Sequence, residues 1–458
     1  MTTVRTPHAE GAVPTGPSQR TTGEHPASPG ATHRLARLGL LRELDHPGAA
    51  FATITPNWFA SVMGTGIVAV AAARLPAQVP GLHAAATAVW FLAVLMLIGL
   101  SVATCMRWVL FPKEARAHHV DPVMAHFYGA VPMAFLTVGA ATLLVGGAVV
   151  GQQAATDIDW VLWTFGTVVG LVTAIAIPYL LFTRLRVAPD SAFGGWLMPI
   201  VAPMVSASTG ALLLPHAAVG EGRTDLLYGC YVLFGVSLFA SLIVITMLWI
   251  RLTQFKIGEA RLVPTLWIVL GPLGQSITAA NLLGANAHLV LPGAEASVFK
   301  DLGIAYGLPM LGFAVLWASI AAGITIRTAL DHLPFSLTWW SFTFPVGTVV
   351  TGLTALAAAA GSAALRAGAD ATFVALVGAW VVVAVRTAHD SVTGRIFRPP
   401  VAPDPLGPPT RPTRPRVAVV ESATADRTDS GSRGTVYAFA DLTSPRRPVG
   451  SAPSGHSS

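Results

Sequence analysis

Charge is what this sequence has least of. Only 11% of its 458 residues are Asp, Glu, Lys or Arg, while 53% are hydrophobic. Ordinary soluble domains carry roughly 25% charged residues, so a typical water-soluble enzyme is excluded. Cysteine is nearly absent. Cys105 and Cys230 both fall in or beside apolar runs, which rules out a disulfide-rich extracellular module and leaves structural thiols. The formal charge of +6 comes from Lys and Arg scattered over loops and tails. With no basic cluster and no aromatic interleaving, nucleic acid is not an expected partner. There is no Gly-rich phosphate loop, no paired-Asp motif for magnesium and diphosphate, no His-Glu-x-x-His and no nucleophile elbow, so neither catalysis nor a cofactor is expected. No apolar run of signal-peptide length occurs before residue 50.

What is present is a series of long apolar runs. Taking about 20 largely apolar residues as one membrane span, ten are counted: 57–74, 84–106, 126–147, 158–182, 194–214, 226–250, 263–284, 300–326, 335–360 and 370–388. The expectation is an all-α polytopic membrane domain over residues 51–395. Residues 1–50 and 396–458 are rich in Pro, Gly, Ser and Thr and read as disordered cytoplasmic tails. Loops after even-numbered spans hold Arg107, Lys113, Arg116, Arg184, Arg186, Arg251, Lys256, Arg261 and Arg327, whereas those after odd-numbered spans hold only Arg74, Arg223, Lys300 and Arg366. The positive-inside bias therefore puts both termini in the cytoplasm.

Helix breakers recur through these spans. Pro132, Pro203, Pro272 and Pro345 follow one another at intervals of about 70 residues, and Gly66 in the Gly64-Thr65-Gly66 stretch precedes them at a similar step. The spans that hold them also hold small and hydroxylated or amide side chains: Ser61 and Thr65, Thr137, Ser206 with Ser208 and Thr209, Gln275 with Ser276 and Thr278, Thr348 and Thr351. Even-numbered spans are bulky and apolar, as in Trp90–Ile98 and Ser241–Ile250. An interior proline costs about 3 kcal/mol in a helix, and irregular backbone at membrane depth is tolerated only where protein or water satisfies it. The expectation is an inner ring of five odd spans around a polar path, enclosed by five even spans. Ser61, Gly64, Thr65, Gly66, Pro132, Pro203, Ser206, Pro272, Gln275, Ser276, Pro345 and Thr348 are the expected pore-lining residues.

Five stretches carry a resemblance. Pro56–Ile67 (PNWFASVMGTGI), Ala125–Met133 (AHFYGAVPM), Trp196–Pro203 (WLMPIVAP), Gly271–Ser276 (GPLGQS) and Trp339–Pro345 (WWSFTFP) occur in order. Together they resemble the tellurite-resistance and dicarboxylate transporter family, within the voltage-dependent anion channel superfamily that includes plant slow-type anion channels. The Met-Gly-Thr-Gly form looks closest to the branch of fungal malate permeases and sulfite exporters. The resemblance implies five helical hairpins in quasi-fivefold arrangement around a central pore, a homotrimer in a cell membrane, and a phenylalanine gate on the ninth span. Phe344 is the matching residue. Phe342, two positions earlier, points to another face.

No Lys, Arg, Asp or Glu lies near the middle of any odd span. A fixed cation there would hold an anion too well to release it quickly, and the lack of a buried carboxylate argues against an Asp/Glu proton relay. Half-helix N-termini created by the breakers, together with hydroxyls, would supply weak passing contacts for an anion. His126 reads as an interfacial, solvated side chain at the start of the third span, His118-His119 beside Asp121 as a loop pair without a third metal ligand, and His389-Asp390 as an interfacial pair. The expected function is transport of small anions, C4-dicarboxylates such as malate or sulfite. The alternative is a membrane-embedded ligand sensor or enzyme without transport. Which anion, its direction, the coupling and the gating trigger are not encoded in any motif.

Overall fold

The computed structural model describes residues 49–119 and 121–397. Both expected tails lie outside these residues except at Ala49–Ala52 and Arg395–Phe397, where short helical turns adjoin the membrane domain. Ten helices among the described residues are long and apolar enough to span a bilayer: α1 (Pro56–Arg74), α2 (Leu82–Leu110), α3 (Met124–Val150), α4 (Gln152–Thr183), α5 (Gly194–His216), α6 (Glu221–Phe255), α7 (Ala260–Leu289), α8 (Gly293–Asp331), α9 (Leu337–Ala360) and α10 (Ala363–Thr393). All ten expected spans are present, and the even ones run longer than hydropathy alone indicated. At about 1.5 Å per residue, the 39 residues of α8 exceed the roughly 30 Å hydrocarbon core, because its ends carry residues such as Glu295, Lys300 and Asp331 that continue the helix into water. Tight connections need glycine. Gly151 alone, at φ 88°, separates α3 from α4, and Gly361, at φ 67°, ends α9, conformations that an L side chain rarely adopts.

Odd and even helices differ in two ways. Between 67% and 94% of the apolar window of each odd helix is buried, against 17% to 33% for each even helix. Each odd helix also begins with a 3₁₀ segment, namely Pro56–Trp58, Met124–Gly129, Gly194–Trp196, Ala260–Val269 and Leu337–Phe342, before it becomes α-helical. The recurrent prolines are placed by this change. Pro132, Pro272 and Pro345 stand in the first turn of the α-helical parts that start at Ala130, Leu270 and Phe344. Near the start of an α-helical part a proline disturbs fewer hydrogen bonds and carbonyls than it would in the interior. Only Pro203 lies well inside its α-helix, Leu197–Leu213. The inner helices are therefore not split at mid-membrane as the proline spacing suggested. The breakers mark where a tight helix relaxes into a wider one.

The odd helices contact one another in cyclic order: α1 with α3, α3 with α5, α5 with α7, α7 with α9, and α9 again with α1. Glycine permits this closeness. A Cβ on Gly129 would lie 2.3 Å from the Met198 backbone, and one on Gly274 would lie 2.4 Å from the Thr348 carbonyl carbon. The outer layer is tied to the inner one by indoles. Trp90 Nε1–H on α2 donates to Thr142 Oγ1 on α3 at 2.8 Å, Trp163 on α4 donates to the Ser206 carbonyl on α5 at 2.9 Å, and Trp317 on α8 donates to the Leu266 carbonyl on α7 at 2.8 Å. Trp380 on α10 donates to Thr65 Oγ1 on α1 at 3.2 Å. Each indole buries a large apolar surface while its single N–H is satisfied away from water.

Candidate functional site

At the centre of the inner ring lies a small cavity to which all five odd helices contribute. Its lining is Ile67, Val70 and Arg74 from α1, Thr137 and Ala140 from α3, Val205, Ser208, Thr209 and Leu212 from α5, Gln275, Thr278 and Leu282 from α7, and Thr351 from α9. The three- and four-residue spacings put one stripe of each helix on the cavity. Its volume of about 20 Å³ admits a water molecule and is too small for a polyatomic anion, so the path is narrow here. Most hydroxyls are already engaged. Thr137 Oγ1 donates to the Met133 carbonyl at 2.6 Å, Thr209 Oγ1 to the Val205 carbonyl at 2.8 Å, and Thr278 and Thr351 share a hydrogen bond of 2.9 Å.

One turn nearer the end where the odd helices begin, the same stripes carry Met63, Met133, Val201 and Gly271, all buried. Phe344 precedes Thr351 by seven residues, two turns or about 10 Å along the axis, and so shares its face. It is among the largest fully buried side chains. Gly271 has unusual room, since an added Cβ would meet only Val201 Cγ1, at 4.0 Å. Phe342 belongs to a different surface, edge-on to Trp267 and Trp339 at 5.7 Å from each.

The residues expected from sequence to line a pore occupy several surfaces. Gln275 borders the cavity. Gly64 faces Thr343 and Trp340 of α9, and Gly66 faces Thr137 of α3. Ser61 and Thr65 border a groove of about 440 Å³ between α1, α2 and α10. The Pro132 ring lies toward Gly170 of α4. Ser206 donates to the Ala202 carbonyl while its own carbonyl accepts Trp163. Ser276 Oγ donates to the Leu273 carbonyl, and Thr348 Oγ1 donates to the carbonyls of Leu270 and Pro345. Pro203, Pro272 and Pro345 are buried within their helices without bordering the cavity.

Four polar groups differ from expectation. Arg74, counted from sequence as a loop residue, is the last residue of α1 and borders the cavity. Asp159 on α4 is completely buried against Gly139 of α3, and neither carboxylate oxygen has a hydrogen-bond partner, so a buried carboxyl does exist, on an even helix rather than an odd one. His126 is not solvated. It is 2% exposed, stacked on Trp196 at 5.5 Å and edge-on to Phe193 at 5.8 Å, where it borders an apolar groove of about 270 Å³ between α4 and α6. Arg107, expected in a loop, is a buried residue of α2. Its guanidinium donates to the Ile54 carbonyl and, at 3.3 Å, to the Glu114 carbonyl, and it lies 3.1 Å from His118 Nδ1. Burial first, and then the Arg107 cation, hold the His118 imidazole below its ordinary range, and burial does the same to His119.

The sequence of this ten-helix domain matches those of known proteins. The model of the voltage-dependent anion channel family matches residues 53–388. The chain belongs to the voltage-dependent anion channel family. Similar proteins include the sulfite efflux pump SSU1 of Arthroderma otae, 26% identical over 355 residues that cover 76% of this chain and 94% of that protein. The sulfite efflux pump SSU1 of Trichophyton rubrum is 26% identical over 372 residues, 80% of this chain and 98% of that protein. An uncharacterized transporter of Methanocaldococcus jannaschii is 27% identical over 299 residues, 64% of this chain and 81% of that one. The resemblance read from the five sequence stretches is to this voltage-dependent anion channel family, and anion transport across a membrane is the class of activity that membership brings.

Proposed function

We propose that the axial cavity is the closed midsection of a pore that carries small anions, with sulfite as the leading substrate and C4-dicarboxylates such as malate as the second. The observation that carries this reading is the convergence of all five odd helices on one polar cavity, with Phe344 two turns away on the same face of α9. Phe344 is the gate. Its ring closes a lumen to which the neighbouring helix contributes the roomy Gly271 at the same level, and rotation of the ring away from the axis admits an anion. The lumen holds no buried carboxylate of its own and no cation at its middle, and its hydroxyls are engaged with backbone carbonyls or one another, so an anion is not held tightly there. The naming of similar proteins as sulfite efflux pumps favours sulfite. The protein acts as a homotrimer of quasi-fivefold protomers in the cell membrane, with both termini cytoplasmic in keeping with the positive-inside bias.

Purified protein in liposomes loaded with sulfite or malate tests the substrate. Sulfite release that exceeds that of protein-free liposomes, with malate slower, is the expected result. Release of neither anion under a gradient in either direction would sink the reading.

A further inference from the structure

Two hydrogen-bond donors that border the cavity, Gln275 one turn from the Phe344 level and Arg74 nearer the opposite end, have no acceptor among the described residues. Arg74 ends α1, half-buried on the cavity wall. It makes no ion pair among the described residues, where the one such pair joins Arg261 to Glu259. Gln275, on α7, is only 3% exposed, yet its side-chain amide enters no hydrogen bond with any described residue, although its neighbours Ser276 and Thr278 are both bonded to backbone carbonyls. A nearly enclosed amide without a partner is uncommon in a folded protein. Here it borders the same space as an unneutralised guanidinium, so both lack the same thing: an acceptor in the cavity.

We propose that, once the pore widens beyond the water-sized cavity of its closed state, Arg74 and Gln275 form a binding site for a compact oxyanion on this stretch of the pore, and that the site ranks sulfite above halide. The chemistry follows from the donors. A guanidinium presents paired N–H groups that match two oxygens of one anion, and the amide supplies a further N–H to a third oxygen. A halide is a single point and uses only part of this set. Arg74 stands at the end of its helix, open on one side, so it attracts an anion without enclosing it. That position meets the objection to a cation in the middle of a pore, where release would be slow. The site rests on the pore reading for its role in transport, but binding itself does not.

The test pairs binding with flux. Thermal unfolding of the purified wild type with added sulfite or equal chloride is compared with Arg74→Lys, Arg74→Gln and Gln275→Ala, and the sulfite-to-chloride permeability ratio is measured for each in liposomes. Wild type is expected to be stabilised more by sulfite than by chloride. Arg74→Lys keeps the charge and loses the paired donors, so its sulfite preference is expected to fall about tenfold, with Arg74→Gln losing sulfite binding and Gln275→Ala retaining part of it. If sulfite binds and Arg74→Lys weakens it while no protein passes anions, the site stands and the pore reading falls. If anions pass and Arg74→Lys, folded as judged by unchanged unfolding without ligand, keeps the wild-type preference, the pore stands and this site is refuted. A wild type that sulfite does not stabilise beyond chloride also refutes it.

Discussion

α6 and α7 are neighbours of similar length, 35 and 30 residues, yet 33% of the apolar window of α6 is buried against 94% of that of α7. Their glycines show what that difference means. Gly229 and Gly235 of α6 have nothing within 4 Å of an added Cβ, whereas Gly274 of α7 lies against the backbone of α9. On the outer helix glycine is incidental, and on the inner helix it sets the distance between two backbones. Tryptophans of the outer helices divide by whether they face the inner ring. Trp163 on α4 sends its N–H inward to α5, while Trp249 on α6 is 44% exposed and lies tilted against Trp317. An apolar helix surface suffices toward lipid, but the inner ring requires shape complementarity and partners for most of its polar groups, because lipid offers none.

The largest test of this contrast is a pair of glycine substitutions. Gly274→Val forces atoms to within 2.4 Å of the α9 backbone, and with no flexible side chain to yield it should cost more than about 3 kcal/mol and abolish recovery of monodisperse protein. Gly235→Ala should leave the unfolding temperature unchanged or raise it by up to about 1 kcal/mol of stability. Equal effects at the two positions would abolish the distinction between layers. A smaller effect separates the indoles. Trp163→Phe leaves the Ser206 carbonyl without its donor and should cost about 1 kcal/mol, while Trp249→Phe should fall within about 0.5 kcal/mol of wild type, both read from thermal unfolding in detergent.

The smallest expected effect is one of pH, at the Arg107 and His118 corner. The folded protein holds the His118 imidazole below its ordinary value of 6.5, so the unfolded chain binds more protons across the interval between the two values. Stability from this group is full above pH about 6.5 and is lost as pH falls through the lower, folded value. His118→Gln should flatten the decline in unfolding temperature on acidification. A steeper decline in the variant would show that the imidazole is charged in the folded state.

Much of this arrangement was legible in the sequence. Ten apolar runs separated by basic loops revealed the helices, because hydropathy over 20 residues is a strong signal. The hydroxyls and amides concentrated in every second run distinguished the inner helices from the outer. Which way each helix is rotated was far less legible. Thr65 and Thr137 are both threonines in odd helices, yet one accepts an indole from α10 and the other borders the cavity, and polarity alone does not tell these faces apart. The prolines pointed to broken helices because a sequence does not reveal whether a proline stands inside a helix or in its first turn. Arg74 was hidden because, as the last residue of the first run, it was counted with the loop that follows, and Asp159 because it sits where hydropathy first rises into the fourth span. A clearer signal for Arg74 was the helical register Ile67, Val70, Arg74, which puts the cation on the same stripe as two cavity residues.

The central claim is that the inner ring surrounds a pore closed by one ring, and it is tested most directly by anion current through planar bilayers containing wild type or Phe344→Ala. The account predicts sulfite and chloride currents at least about tenfold larger in the variant, with an unfolding temperature that shows it remains folded. A folded Phe344→Ala protein that conducts no more than wild type would contradict it.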